Sequence, residues 1–231
     1  MSQLPEVIEQ LLSEPGAGRC VVFDADGTLW RGDVGEDFLR YLSALKLLPR
    51  APDHGVYARY DSLHHTDPPA AYAYAVTIMA GMADAELTTL ARDFFAQRFS
   101  GRVFSYVRPL IARLKAQQFD VWVCSASPRW VVEAGAAVLG VPNANVIAVD
   151  AELDEAGRLT DRLIAPVAAG PGKVAWLRRK NLAPVLAAGN GDLDLDMLAF
   201  ARQGWVIAPP DAAPTALVRE AHARNWPISR L

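Results

Sequence analysis

The stretch VVFDADGTLW, residues 21–30, decides how this chain is interpreted. Its first three residues are β-branched or aromatic with no polar alternation, which predicts a buried strand ending at Asp24. Asp26 follows one residue later, and Gly27 allows the chain to bend, so both carboxylates can face one crevice at the strand's carboxyl end. Such a pair attracts a hard cation. The alternative is a polar turn that only ends the strand.

Composition limits the classes of protein to consider. A chain of 231 residues can bury a full core as one domain with a sizeable insertion, and a net charge of −3 gives no footprint for nucleic acid. No apolar run reaches the roughly 18 residues of a membrane span, and the amino terminus lacks the pattern of a signal peptide. We expect a cytoplasmic monomer or homodimer with no nucleic-acid or membrane partner. Cys20 and Cys124 lie in apolar runs, which predicts buried free thiols.

Short apolar runs alternate with helical periodicity over most of the chain, which predicts an α/β fold with a parallel sheet and right-handed crossovers. The predicted strands are residues 21–23, 121–124, 146–149, 184–188 and 205–207, and a hairpin is expected within residues 151–161. The predicted helices are residues 5–12, 110–117, 130–139, 173–180, 195–201 and 215–223.

Residues 33–102 interrupt this alternation. They show helical periods and proline-rich breaks but no convincing strand. We therefore predict a helical cap of residues 31–107 inserted into a core of residues 1–30 and 108–231. Because the cap leaves the core directly after the aspartates, we expect it to lie above Asp24, with hinges at residues 31–32 and 106–109.

Polar groups follow four predicted strands or turns and could converge. They are Asp24 and Asp26; Ser125, Ala126 and Ser127; Lys173; and Asn190, Asp192, Asp194 and Asp196. A serine hydroxyl and the N–H groups that open a helix can hold phosphate oxygens, and a lysine can neutralise their charge. Carboxylates can hold Mg²⁺. Together these are the groups that phosphoryl transfer requires.

The ordered set of motifs resembles the haloacid dehalogenase superfamily, in the branch of phosphoserine and phosphocholine phosphatases that carry a helical cap. The matching residues are Asp24-Ala-Asp26-Gly-Thr28, Ser125 after an apolar strand, Lys173, and GNGDLDLDML at residues 189–198. The resemblance covers essentially the whole chain. It implies a Rossmann-like core of three α/β/α layers with an inserted α-helical cap.

The resemblance also implies a role for each matching residue. Asp24 is expected to be the nucleophile that forms an aspartyl-phosphate. Asp26 is expected to protonate the leaving alcohol and then to activate water, while its backbone carbonyl reaches Mg²⁺. The phosphoryl group is expected to be bound by Thr28, Ser125, Ala126 and Lys173. The expected substrate is a small phosphorylated metabolite.

The fourth motif departs from the family pattern. Many relatives carry Gly-Asp where this chain has Gly189-Asn190, although some phosphatases of this branch carry Gly-Asn. An amide oxygen can bind Mg²⁺ but adds no negative charge, which predicts a lower metal affinity. We expect the metal ligands to be Asp24, Asp26, Asn190 and Asp194. A second alignment makes Asp192 and Asp196 the acidic pair instead.

The cap is expected to select the leaving group. Asp33 and Glu36 could receive a positively charged amine, as comparable acids do in similar phosphatases acting on phosphoserine, phosphocholine or phosphoethanolamine. They could equally belong to the first turn of a cap helix. An aromatic cage for a quaternary ammonium is a second possibility, although packing inside the cap accounts for the same residues. These aromatic residues are Trp30, Tyr57, Tyr60, Tyr72 and Tyr74.

Two further features have ordinary explanations. His64-His65 lies near Pro68-Pro69 and is expected in a surface turn rather than in a metal site. Arg129 could contact substrate or be exposed to solvent. The segment SASPRW at residues 125–130 resembles the second motif of phosphocholine and phosphoserine phosphatases, which favours an amino-alcohol phosphate.

Three other functions share these features. A 2-haloacid dehalogenase uses a similar nucleophile but needs no acid at the position of Asp26. A phosphomutase shares the core, and nothing in the cap identifies one. A non-catalytic phosphometabolite-binding protein is suggested by Asn190 alone.

Overall fold

The computed structural model describes residues 4–52, 54–210 and 215–230. The strands in these ranges are Cys20–Phe23 (β1), Asp120–Pro128 (β2), Val146–Val149 (β3), Ala151–Leu153 (β4), Leu159–Leu163 (β5), Leu186–Gly189 (β6), Gly204–Ala208 (β7) and Ile228–Arg230 (β8). The helices are Glu6–Leu12 (α1), Val34–Ala44 (α2), Val56–Thr66 (α3), Pro68–Thr77 (α4), Asp84–Arg98 (α5), Val107–Ala116 (α6), Arg129–Val138 (α7), Pro171–Arg179 (α8), Leu195–Phe200 (α9) and Ala216–Ala223 (α10).

Six strands form a parallel sheet in the order β3-β2-β1-β6-β7-β8. Residues of β1 alternate between two apolar layers: Val21 and Phe23 pack on one face of the sheet and Cys20 and Val22 on the other. Both faces are covered, which is why the strand is an unbroken apolar run. The predicted α/β fold is confirmed. The chain reverses its direction of winding between β1 and β6, the point where open α/β sheets bind ligands.

Two strands differ from their predictions. β8 was not predicted, because Ile228–Arg230 is only three residues long and has no apolar run; its pairing with β7 supplies the missing signal. β2 extends to Pro128 instead of ending at Cys124, and its pairing with β3 is irregular between these residues. Ser125, Ala126 and Ser127 therefore lie within β2, near its carboxyl end.

The inserted helices α2 to α5 share one continuous apolar core with the sheet. Phe95 of α5 packs edge-on against Trp30 at 5.1 Å between ring centroids. The chain crosses between the sheet and the inserted helices at two points, and these crossings are hydrogen-bonded to each other. The N–H of Arg31 donates to the carbonyl of Arg102 at 3.0 Å. The Tyr106 hydroxyl donates to the carbonyl of Thr28. The division into core and cap, and hinges at these crossings, remain predictions.

The predicted hairpin is present as β4 and β5, and it holds the junction between α4 and α5. Leu159 accepts a hydrogen bond from the N–H of Gly81 at 2.8 Å and donates one to the carbonyl of Met82 at 2.9 Å. The N–H of Asp84 donates to the carbonyl of Gly157 at 3.0 Å. The insertion is therefore bound to the core along one side, away from the aspartates.

Arg129 lies beside this junction and is only partly exposed, while its contact with substrate stays a prediction. Its guanidinium forms ion pairs with Asp84 at 2.5 Å, Asp150 at 2.8 Å and Glu133 at 3.3 Å. It also lies over the ring of Trp130. Arg129 joins α5 to α7, and three carboxylates hold its guanidinium in place.

Cys20 and Cys124 are buried free thiols, as predicted. Within the described residues, we find no helix with the length and apolar character that a membrane crossing requires.

Candidate active site

The candidate site forms where the chain leaves β1. Asp24 directly follows the strand, and its backbone N–H donates to the carbonyl of Ala188 in β6 at 2.8 Å. The chain bends at Gly27, whose φ of +70° is a conformation that favours glycine. A Cβ atom there would lie 2.1 Å from Nδ2 of Asn190. Glycine therefore permits both the bend and the close approach of the loop that follows β6.

Lys173, in the first turn of α8, joins the buried carboxylates. Its Nζ donates to Oδ1 of Asp24 at 2.7 Å, to Oδ1 of Asp194 at 2.6 Å and to the carbonyl of Cys124 at 2.8 Å. These bonds use all three donors of the ammonium group. Burial by itself would lower the pKa of Lys173, but Asp194 and Asp24 raise it above its usual value. The lysine therefore stays charged.

The environment of Asp24 balances opposing effects. Burial and the charge of Asp194 raise its pKa to about 7, against the lowering effect of Lys173. Its second oxygen, Oδ2, accepts a hydrogen bond from the Thr28 hydroxyl at 3.2 Å. Lys173 and Thr28 thus both favour the ionised carboxylate, which is the form that can attack an electrophile.

Asp194 organises the loop opposite Asp24. Its Oδ1 accepts from Lys173, and its Oδ2 accepts from the backbone N–H groups of Asn190 and Gly191, each at 3.0 Å. A Cβ atom at Gly189 would lie 2.6 Å from Oδ2 of Asp194, so glycine allows this carboxylate to sit against the end of β6. These contacts give Asp194 a positioning role, and its expected role as a metal ligand remains a prediction.

Asp24 and Asn190 carry oxygens that could hold a divalent cation. The Thr28 Oγ1 atom lies 3.2 Å from Oδ2 of Asp24 and 3.4 Å from Oδ1 of Asn190, so one carboxylate oxygen and one amide oxygen flank the same hydroxyl. Within the described residues, no three or more His, Cys, Asp or Glu side chains form a metal-binding group. A site with only a few protein oxygens, and with room for water and phosphate oxygens, suits Mg²⁺. Asn190 would contribute its amide oxygen without a charge.

Asp26 is held by neutral donors rather than by a cation. Its Oδ1 accepts from the indole N–H of Trp30 and the backbone N–H of Val34, each at 2.7 Å. Its Oδ2 accepts from the Ser127 hydroxyl at 2.6 Å. Burial, followed by the charge of Asp33, raises the pKa of Asp26 well above its usual value, although the Ser127 and Val34 bonds lower it. A carboxyl group with a raised pKa can carry a proton at neutral pH.

The end of β2 brings two serines to the site. Ser125 and Ser127 are both buried. The Ser127 backbone N–H donates to Oγ of Ser125 at 3.1 Å, so the Ser125 hydroxyl keeps its proton for another acceptor. A phosphate oxygen is such an acceptor.

A cavity of about 330 Å³ opens above these groups. This volume suits a small metabolite. The cavity is lined by Asp24, Asp26, Asp33, His64, Tyr72, Ser125, Ala126, Ser127, Lys173, Asn190, Gly191, Asp192, Leu193 and Asp194. Of the predicted site residues, Thr28 lies just beneath the lining, bonded to Asp24, and Glu36 lies outside it.

The model of the family described as haloacid dehalogenase-like hydrolase matches residues 21–199. The chain belongs to this family. Among solved structures, it is similar to a protein of unknown function from Bordetella pertussis Tohama I, with 22% identity, a TM-score of 0.73 and coverage of 91% of this chain and 97% of that one. A phosphoserine phosphohydrolase-like protein from Francisella tularensis has 15% identity, a TM-score of 0.61 and coverage of 92% and 95%. These likenesses show the fold.

The phospho-aspartyl intermediate analogue of a phosphoserine phosphatase is also similar, with 16% identity, a TM-score of 0.58 and coverage of 92% of each chain. The predicted membership of the haloacid dehalogenase superfamily is confirmed, and so is a hydrolase family. Phosphatase activity of this hydrolase remains a proposal.

The two acidic residues that follow the first motif of this hydrolase have different environments. Asp33 precedes α2 and lines the cavity, while its Oδ1 accepts from the N–H of Glu36 at 2.7 Å. Burial raises the pKa of Asp33. Glu36 instead accepts from Arg40 at 2.9 Å and from the Tyr57 hydroxyl at 2.8 Å. Only Asp33 is placed to meet a leaving group.

His64 is a cavity residue that the sequence analysis missed. The predicted surface turn is wrong, because His64 and His65 lie within α3. His65 is exposed, whereas Nε2 of His64 lies 3.2 Å from the Tyr72 hydroxyl of α4. Of the five aromatic residues considered for a cage, Tyr72 alone is in the described lining. The sequence analysis named both residues but not their pairing, because that pairing depends on the packing of α3 against α4.

The two alignments of the fourth motif place different residues in the cavity. Asp192 reaches the lining, and its Oδ1 accepts from the N–H of Leu217 at 2.8 Å. Asp196 lines a separate hollow with Pro171 and Arg178. Asn190 and Asp194 both line the cavity, whereas Asp192 and Asp196 line different hollows, and the pairing of Asn190 with Asp194 as metal ligands stays a prediction.

Proposed function

We propose that this hydrolase is a Mg²⁺-dependent phosphatase that cleaves a small phosphomonoester through an aspartyl-phosphate. The observation that carries the proposal is the pairing of Asp24 with buried Lys173 at 2.7 Å, with Asp26 lining the same cavity. Lys173 favours the ionised form of the carboxylate that attacks, and the other carboxyl group is held where it can move a proton.

In the first step, a carboxylate oxygen of Asp24 forms a bond to phosphorus as the bond from phosphorus to the alcohol oxygen breaks. The alcohol oxygen takes the proton of Asp26 and leaves. Lys173 and the Ser125 hydroxyl stabilise the charge on the transferring group.

In the second step, water attacks the phosphorus of the aspartyl-phosphate and gives its proton to Asp26. The bond from phosphorus to Asp24 breaks, which releases inorganic phosphate and restores both aspartates. Mg²⁺, held by Asp24, the Asp26 carbonyl and Asn190, would neutralise phosphate charge.

The leaving group would lie against Asp33, His64 and Tyr72, which form the part of the lining contributed by the insertion. The carboxylate of Asp33 favours a positively charged amine, as in phosphoethanolamine, phosphocholine or phosphoserine. Among the described lining residues, the basic side chains are Lys173, which is already paired, and His64. A leaving group with its own carboxylate therefore has few partners, which favours the first two substrates.

The test is phosphate release from p-nitrophenyl phosphate and from a panel of amino-alcohol phosphates, with purified protein and Mg²⁺. We expect turnover that a chelator abolishes and that Asp24→Asn reduces by roughly 10⁴-fold or more, because the nucleophile is lost. Asp196→Asn is the matched control, since this exposed carboxylate lies outside the cavity. Full activity of the Asp24 variant would overturn the mechanism.

A further inference from the structure

We infer that Ser127 is a positioning residue for Asp26 and that Oδ2 of Asp26 is the oxygen that transfers the proton. This inference rests on the proposed function, because it assigns an atom to the proton transfer in that reaction. It gives Ser127 a role that the resemblance did not assign, and Ser127 lies 101 positions away from Asp26 in the sequence.

The two oxygens of Asp26 have different numbers of hydrogen-bond partners. Oδ1 accepts from the Trp30 indole and the Val34 backbone, which fills both of its lone pairs. In the described parts of the chain, Oδ2 accepts from the Ser127 hydroxyl alone, at 2.6 Å. One lone pair of Oδ2 therefore remains for a proton, and Asp26 lines the cavity.

A hydroxyl group suits both states of this carboxyl. Ser127 can donate to Oδ2 when Asp26 is a carboxylate, and it can accept a hydrogen bond when Oδ2 carries the proton. The backbone of Ser127 is itself fixed, because its N–H donates to Oγ of Ser125. The serine can therefore hold Oδ2 in one orientation throughout the reaction.

Gly35, in the first turn of α2, packs closely against Ser127. A Cβ atom on Gly35 would lie 2.5 Å from Oγ of Ser127 and 2.9 Å from its Cβ. Such a contact forces a shift. Gly35→Ala therefore provides a way to displace the hydroxyl without removing it.

The experiment compares kcat/KM for phenyl phosphate and p-nitrophenyl phosphate. The two esters match closely in size, but phenol is a poorer leaving group and depends more on protonation. For Ser127→Ala we expect a loss of about tenfold with phenyl phosphate, the cost of one hydrogen bond in the transition state, and less than about twofold with p-nitrophenyl phosphate. Gly35→Ala should show the same selective loss.

Gly101→Ala is the matched control for Gly35→Ala. A Cβ atom on exposed Gly101 would meet no atom within 4 Å, so both rates should be unchanged. Thermal unfolding of each variant shows whether it is folded, and if Ser127→Ala does not fold, Gly35→Ala decides.

Equal losses on the two esters, or no loss on phenyl phosphate, would overturn the positioning role. If the wild-type protein hydrolyses neither ester, the proposed function fails instead. The two failures are therefore distinguishable.

Discussion

The floor and the roof of the cavity are built differently. The floor consists of Asp24, Lys173 and Asp194, each less than 10% exposed and joined by ion pairs of 2.7 and 2.6 Å. The roof consists of Asp33, His64 and Tyr72, which are only partly buried, and Nε2 of His64 lies 3.2 Å from the Tyr72 hydroxyl. The floor residues are paired with one another by charge, whereas within the described residues no ion pair involves Asp33 or His64.

This difference separates reaction from selection. A floor whose charges are already paired needs no rearrangement before phosphoryl transfer, which is the condition for electrostatic catalysis. A roof that is not fixed by ion pairs can adapt to the alcohol that leaves. Substitutions in the floor should therefore affect every substrate and the stability of the fold, and those in the roof should affect only some substrates.

The largest effect is expected for Lys173→Met. Removing the cation leaves Asp24 and Asp194 close together and buried without a counter-ion. We expect the free energy of unfolding to fall by about 3–5 kcal/mol, measured by urea denaturation, together with loss of turnover. Lys180→Met is the control, because Lys180 is exposed at the end of α8 and should change stability by less than about 0.5 kcal/mol. Equal stability of the two variants would show that the floor is not held by its charges.

Asp194→Asn should have the next largest effect. The amide cannot both accept from the Asn190 and Gly191 N–H groups and pair with Lys173 as a carboxylate does. We expect turnover to fall by about 10²-fold, since a misplaced lysine and loop affect every substrate. Asp192→Asn should change turnover by less than about threefold, because this exposed side chain caps Leu217. A loss of Mg²⁺-dependent turnover in the Asp192 variant alone would favour the second alignment of the fourth motif.

The smallest effect is expected in the roof. Asp33→Asn should raise KM for phosphoethanolamine by about tenfold, since one charge interaction is removed, and leave p-nitrophenyl phosphate nearly unchanged. Glu36→Gln should change neither, because Glu36 is bonded to Arg40 and Tyr57 outside the cavity. If both substrates lose equally in the Asp33 variant, this residue supports the fold rather than selecting the amine.

Patterns that are local in sequence were sufficient for the core. The apolar run before Asp24 predicted β1, and the same reasoning predicted the hairpin of β4 and β5. The strand Ile228–Arg230 was not predicted, because three mixed residues carry no periodicity of their own. The strand depends on pairing with β7. The ion pairs of Arg129 were not predicted, because two of its three carboxylate partners, Asp84 and Asp150, come from separate parts of the chain.

The sequence by itself determined the family, the α/β core and the set of residues that converge at the end of β1, because each depends on local patterns and on their order. Only the tertiary structure decided which of Asp33 and Glu36 faces the cavity, that His64 joins it, and that Ser127 holds Asp26. Those outcomes depend on how one helix is rotated and packed against another element. Such contacts between distant residues are fixed by burial and hydrogen bonding across the whole core, and no local spacing encodes them.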